Sequence, residues 1–183
     1  VTAPEADIEA RARRVRLLAL DVDGVLTDGR IHYTSAGEEM KSFSILDGLG
    51  IKLLRRAGVQ VAVITARRSP MVDRRVAELG IEHCLQGRED KLEALRELIA
   101  PLGIMLDEVA YMGDDLPDLR AILSVGLGLS VANASSEVAK RAPWRSAARG
   151  GDGAVREACE MILRARGAWD EVIGRYLPET GGL

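Results

Sequence analysis

Aromatic side chains are nearly missing: Phe, Trp and Tyr together make up 3% of 183 residues. Any core must therefore be aliphatic, and the Val, Ile, Leu and Ala runs suit strands covered on both faces. Cysteine is equally scarce. Cys84 and Cys159 have neither C-x-x-C nor zinc-ligand spacing, which argues against a disulfide framework or a structural metal and for two reduced thiols. The longest apolar stretches, near Val59 to Ala66 and Ile122 to Ala132, are too short to span a bilayer, and no charged start leads into a signal-like apolar segment. Excess charge of one sign is lacking too. With 25 Lys and Arg against 28 Asp and Glu, the net charge is −3, and no global field draws the chain to nucleic acid or an anionic membrane. The expectation is a cytoplasmic protein with neither partner. The turn after the first apolar strand has no G-x-G-x-x-G and carries acids that would repel pyrophosphate, which speaks against a dinucleotide-binding domain.

What the chain does have is hydrophobic content of 47% and a length that lets one core bury roughly 70% of the unfolded surface. Residues 1–14 are polar and Ala/Arg-rich, and read as a frayed helical extension that adds little to the core; residues 15–183 read as one domain. Apolar strands at 15–20, 59–65, 81–85, 108–113 and 125–131 alternate with helices that run from just after Asp47-Gly48 to about Ala57, Pro70 to Leu79, Lys91 to Leu102, after Asp115, near Ser135 to Arg141, and from Ala154. Gly58 and Gly80 are placed to end the first two of these helices. Two short runs, 30–34 and 39–44 around Ser35-Ala36-Gly37, read as a β-hairpin outside this alternation. The predicted class is α/β: a three-layer, Rossmann-like open parallel sheet with an added β-hairpin and no cap domain.

The first strand runs straight into Asp21-Val22-Asp23-Gly24-Val25-Leu26-Thr27. In extended chain, residues i and i+2 point to the same side, so Asp21 and Asp23 can meet one substrate or one cation. Two like charges that close call for a counter-ion, and Mg²⁺ prefers oxygen ligands and tolerates bound phosphate. A lone D-x-D is common at strand ends, but further polar groups sit at element edges: Thr65, Lys91, and Gly113-Asp114-Asp115 with Asp118 behind. In an open parallel sheet those edges gather at the carboxyl ends of the strands, where ligands bind.

In order and spacing these pieces resemble the haloacid dehalogenase superfamily of phosphotransferases, over nearly the whole chain from Val15 to about Glu160. Within it, residues 41–50 (KSFSILDGLG), Ile64-Thr65-Ala66-Arg67, Gln86-Gly87 ahead of Asp90-Lys91-Leu92, residues 111–115 (YMGDD) and 150–157 (GGDGAVRE) are most similar to the capless phosphatases of 3-deoxy-D-manno-octulosonate 8-phosphate, an intermediate of lipopolysaccharide synthesis. Three places depart from that pattern: Ala66 stands where Gly is usual, Ser44 and Leu46 where Asn and Arg are usual, and Asp152 where a basic residue is usual. These departures bear on substrate choice.

The resemblance implies a role for each residue. Asp21 is the nucleophile that forms an aspartyl-phosphate, and Asp23 is the general acid and base. The Asp21 carboxylate, the Asp23 backbone carbonyl and the Asp114 carboxylate hold Mg²⁺, with Asp115 and Asp118 behind them as supports or helix caps. Thr65 and Lys91 bind the phosphoryl group. Asp47, Gly48, Lys52, Arg67 and Arg75 are implied contacts for a small phosphorylated sugar acid, Arg being suited to a carboxylate by its bidentate fork. With neither insertion long enough for a lid, the hairpin is expected to pair with copies from other subunits in a homotetramer. Three alternatives stay open: a nine-carbon ulosonate 9-phosphate or other small sugar phosphate as substrate, a non-enzymatic phospho-aspartate switch, and a catalytically idle accessory module.

Overall fold

The computed structural model describes residues 4–37 and 39–178. In chain order the elements are α1 (Glu5–Arg13), β1 (Leu17–Leu20), β2 (His32–Tyr33), β3 (Glu39–Met40), α2 (Ile45–Arg56), β4 (Gln60–Thr65), α3 (Pro70–Leu79), β5 (His83–Gln86), α4 (Lys91–Ile99), β6 (Val109–Gly113), α5 (Leu116–Ser124), β7 (Leu127–Ser130), α6 (Ser136–Arg141), β8 (Trp144–Arg145), α7 (Ala154–Ala165) and α8 (Trp169–Gly174). Six strands pair in parallel in the order β5-β4-β1-β6-β7-β8. From the central β1 the chain first builds outward through β4 and β5, then returns to the other side of β1 for β6 to β8. The topological switch point therefore lies between β1 and β6, where an open α/β sheet places its ligand crevice.

Side-chain alternation along β1 explains the three layers. Leu18 and Leu20 face a core shared with α1, α2, α3, α7 and α8, while Leu17 and Ala19 face a second core under α4, α5 and α6. Tyr111, on β6, is the aromatic that lies fully buried among the described residues, while Phe43, Trp144 and Trp169 pack half-buried against the larger core. Among the described residues, no helix is long and apolar enough to cross a membrane.

Three expectations need correction. Residues 5–13 are not a frayed appendage: α1 buries Ile8 and Ala12 in the larger core, and Arg13 and Arg166 donate to the Ala165 and Val15 carbonyls across the junction of α1 and α7. The hairpin ladder is shorter than expected, pairing only His32 with Met40 and Tyr33 with Glu39, and it stands apart from the main sheet. The helix after it begins at Ile45 rather than near Asp47, because Ser44 is the N-cap, its hydroxyl accepting from the Leu46 and Asp47 amides. Two elements escaped the sequence pattern altogether. The edge strand β8 is two residues long, and α8 follows α7 after a turn at Gly167 with φ +70°.

Candidate active site

Four of the predicted catalytic and metal residues, Asp21, Thr65, Lys91 and Asp114, converge where the central strands end. Asp21 extends β1 by one hydrogen bond, its amide donating to the Met112 carbonyl of β6 at 3.0 Å. The chain then turns tightly, because the Val22 carbonyl accepts from both Leu26 and Thr27, and the Thr27 hydroxyl accepts from Gly24 and Gly29. Gly24 has φ +98°, and a Cβ there would overlap the Asp114 carboxylate, so glycine is what lets the β1 turn close on the β6 turn.

Asp21, Asp114 and Asp118 each offer an oxygen within 4.8 Å of the others. Lys91, the first residue of α4, is inserted among them with its Nζ 2.8 Å from Asp21 Oδ1 and 2.6 Å from Asp118 Oδ1. One ammonium faces three carboxylates. Burial and the charge of Asp118 raise Asp21 to about 7 despite Lys91, and the same two causes raise Asp114 to about 7. Burial pulls Lys91 down, but Asp21 and Asp118 more than offset this, so its pKa is raised and it stays protonated.

Asp118 is fully engaged. Its Oδ1 accepts from Lys91 and from the Tyr111 hydroxyl at 2.8 Å; its Oδ2 accepts from the backbone amides of Asp114 and Asp115 at 3.1 and 3.3 Å. A carboxylate so committed orients its neighbours rather than coordinating a cation. Asp115 is exposed at the N-cap of α5, and its charge adds to those that raise Asp114. The donor set therefore fits a hard divalent cation between Asp21 and Asp114, whose raised pKa values mark the charge such an ion would relieve. Thr65 is buried at the end of β4, and its Oγ1 accepts from the Arg67 amide at 3.4 Å, which leaves its proton to be donated elsewhere.

Asp23 sits at the mouth, and the structure gives it partners that the sequence did not suggest. Lys41, just after β3, has an almost fully buried side chain and bonds Asp23 Oδ1; it also lies 3.0 Å from Glu39. Arg67 lies 3.7 Å from Asp23 and 3.5 Å from Glu39. The hairpin is thus tied to the Asp23 carboxylate by two cations. Lys41 opens the KSFSILDGLG segment, so the motif held the signal, but nothing in its spacing says that a hairpin lysine folds back onto the first strand's turn.

The implied sugar contacts fare unevenly. Arg67 stands at the mouth. Arg75, in contrast, donates to the Ser44 carbonyl at 2.9 Å, lies over the Phe43 ring, and occupies the space that a side chain at Gly48 would need, so both residues fix the start of α2. Asp47 is buried, its carboxylate accepting from the Gly153 and Arg156 amides of α7 at 3.4 and 2.8 Å. Lys52 is exposed beside Arg55, Arg56 and the last turn of α3, which lies toward the opposite end of the sheet. Of the departures, Leu46, Ala66 and Asp152 are exposed, and Ser44 is half-buried as the N-cap of α2.

Comparison with known proteins agrees with this geometry. The haloacid dehalogenase-like hydrolase family matches residues 85–157. The 3-deoxy-D-manno-octulosonate 8-phosphate phosphatase of Escherichia coli K12 is 45% identical over 172 residues, covering 94% of this chain and 92% of that protein. The crystal structure of the Moraxella catarrhalis phosphatase of the same name, in complex with a magnesium ion, a phosphate ion and a KDO molecule, superposes with TM-score 0.92 at 47% identity, covering 93% of this chain and 98% of that one. The cobalt-bound Haemophilus influenzae enzyme superposes with TM-score 0.86 at 40% identity, covering 91% and 99%. On similarity over 94% of its length, this chain belongs to the haloacid dehalogenase-like hydrolases, in the family of the 3-deoxy-D-manno-octulosonate 8-phosphate phosphatases.

Proposed function

We propose that the chain hydrolyses 3-deoxy-D-manno-octulosonate 8-phosphate to the free sugar acid and inorganic phosphate, in the cytoplasm and on the route to lipopolysaccharide. The observation that carries the reaction is Lys91 held between Asp21 and Asp118 beside Asp114. The substrate rests on similarity to enzymes of that name over 94% of the chain. Asp21, Asp114 and the Asp23 carbonyl would hold Mg²⁺, which when bound would supply charge neutralisation for the phosphoryl oxygens.

In the first half-reaction an Asp21 carboxylate oxygen bonds phosphorus while the phosphorus–oxygen bond to the sugar breaks, and Asp23 gives its proton to the departing alkoxide. In the second, Asp23 takes a proton from water as that oxygen bonds phosphorus, and the Asp21–phosphorus bond breaks to return the free carboxylate. Lys91 and the Thr65 hydroxyl steady the phosphoryl oxygens throughout. At the mouth, Arg67, whose side chain is partly exposed, is the cation best placed to receive the sugar carboxylate. Phosphate release should be measured over a panel of eight- and nine-carbon ulosonate phosphates and simple hexose phosphates, with and without Mg²⁺. The eight-carbon ester is expected to give the highest kcat/KM, and equal rates across the panel would overturn the substrate assignment.

Protons and Mg²⁺ compete for the same oxygens. Asp21 and Asp114 are raised from 3.8 to about 7 in the metal-free fold. For a raised carboxylate, stability is fully present below pH 3.8 and is lost as pH rises toward 7, since the unfolded chain releases its protons first. Above pH 7 the cation replaces those protons. Saturating Mg²⁺, at about 100 times its dissociation constant, should therefore add roughly 2.7 kcal/mol at pH 8, a rise of about 5–10 °C in Tm, and much less at pH 5.5. A Tm shift by Mg²⁺ that is the same at both pH values would contradict this set of ligands.

A two-stranded hairpin with two residues per strand is not stable in isolation. It carries Tyr33 and Met40 exposed at 66% and 54%, and the neighbouring Ile45 and Leu46 are exposed at 81% and 54%. We take this apolar strip as the contact between subunits of a homotetramer, which would also wall the open site. Light scattering is expected to give a mass several times 19.8 kDa, and Tyr33→Glu with Ile45→Glu should release monomers of much lower activity. A wild-type monomer with full activity would refute it.

A further inference from the structure

The segment between β8 and α7 acts as a strap across the catalytic turn. The Gly151 amide donates to the Val25 carbonyl at 2.9 Å, and Gly150 lies so close to Gly24 that a Cβ would overlap its carbonyl oxygen. Gly24 in turn is packed against the Asp114 carboxylate. Side-chain acceptors hold the strap from three directions. Asn133 accepts from the Gly150 amide at 2.8 Å, and Glu157 accepts from the Ala147 and Ala148 amides at 2.8 and 2.9 Å. The third is Asp47, on another helix, and it grips the strap where it enters α7.

That entry is unusual. The N-cap of α7 is Gly153, at φ +101°, and it has no side chain to satisfy the first amides of the helix. Asp47 supplies the missing cap from α2: its carboxylate takes the Gly153 and Arg156 amides, with Val155 also directed at it. A cap from its own chain segment would fix only the helix start; a cap from α2 fixes α7 relative to the helix that follows the hairpin. Asp47 is 1% exposed, so a sugar hydroxyl has no approach to it in this fold.

We infer that Asp47 is a positioning residue for the phosphatase reaction: it sets the Gly150–Gly151 strap on the turn that carries Asp23 and so fixes that turn against Asp114. The inference rests on the reading of the site as a phosphatase. Asp47→Asn is isosteric and keeps one oxygen for the Arg156 amide, so the protein remains foldable, whereas Asp47→Ala removes the cap. Steady-state kinetics should be measured on the sugar phosphate and on p-nitrophenyl phosphate, together with hydrogen exchange of the Gly151 amide. Asp47→Asn is expected to lower kcat about 5- to 20-fold on both esters with KM changed less than about twofold, and to speed exchange at Gly151 at least about tenfold. Asp47→Ala should exceed it in each. A raised KM on the sugar ester alone would make Asp47 a substrate contact, and a lower Tm with unchanged kcat and unchanged Gly151 exchange would make it merely structural; either overturns the inference. A wild-type protein inactive on both esters would defeat the phosphatase reading instead, and the exchange result would still decide whether Asp47 holds the strap.

Discussion

Asp21→Asn is expected to lose turnover by about 10⁴-fold or more while gaining stability. The loss follows from the proposed chemistry: an amide oxygen is a poor nucleophile, and removing the proposed site of the covalent intermediate takes away the reaction path rather than one contribution to it. The gain follows from electrostatics. Asp21 is buried beside Asp118 and Asp114 with Lys91 as its counter-charge among the described residues, and its pKa is raised from 3.8 to about 7. Ionising it in the metal-free fold costs on the order of a few kcal/mol relative to the unfolded chain, and this cost builds up as pH rises from about 4 to 7. Asparagine has no such charge to bury. The metal-free Asp21→Asn protein should thus melt several degrees above the parent at pH 8 and show little difference at pH 4, as expected where an active site holds destabilising charge. Activity assays with Mg²⁺ and melting curves without it check the two halves. Retained turnover would remove Asp21 as the nucleophile, and a lower Tm at pH 8 would mean that the Lys91 ion pair outweighs the repulsion.

The acids and the strand pattern were legible because each follows a local rule. A run of buried aliphatics ending in a carboxylate reads as a strand carboxyl terminus, and the parallel topology then brings Asp21, Thr65, Lys91 and Asp114 together without further information. What could not be read depends on which distant backbone meets a side chain. Asp47 and Gly48 follow the helix start by two or three residues, so a loop ligand and a helix residue look the same in sequence; only the placement of α7 shows that the Asp47 carboxylate caps another helix. Arg75 likewise reads as a solvated or ligand-seeking cation until the Ser44 carbonyl and the Phe43 ring are seen beneath it. Lys41 is the converse case, a residue of no evident role until the hairpin folds back to Asp23. The N-terminal helix was underrated because its apolar face is only Ile8 and Ala12, too narrow a stripe to register as amphipathic although α7 covers it.

Lys91→Met separates the two duties of the buried ammonium, and its effects should be as large as those of the nucleophile variant but differently coupled to metal. Methionine matches the length of lysine without its charge, so it fills the space while leaving Asp21 Oδ1 and Asp118 Oδ1 without the cation that lies 2.8 and 2.6 Å from them. Breaking a buried pair by removing one partner costs about 3–5 kcal/mol, which corresponds to a fall of roughly 6–20 °C in Tm for a chain of this size. Because the penalty is borne by ionised carboxylates, it should be greatest near pH 8 and shrink toward pH 5, where Asp21 regains its proton. Mg²⁺ can neutralise Asp21 and should restore much of the Tm. It should not restore turnover, which is expected to stay at least about 10²- to 10³-fold down, since the positive donor aimed at the phosphoryl oxygens is gone. The double variant Asp21→Asn with Lys91→Met gives a further check. If the two groups act as one buried pair, Asp21→Asn should raise the metal-free stability of Lys91→Met by more than it raises that of the parent, a coupling that independent sites do not show. Full recovery of activity by Mg²⁺ would mean that Lys91 serves the fold and the metal site but not the transferring phosphate, and additive stabilities in the double variant would mean that Lys91 and Asp21 do not act as a pair.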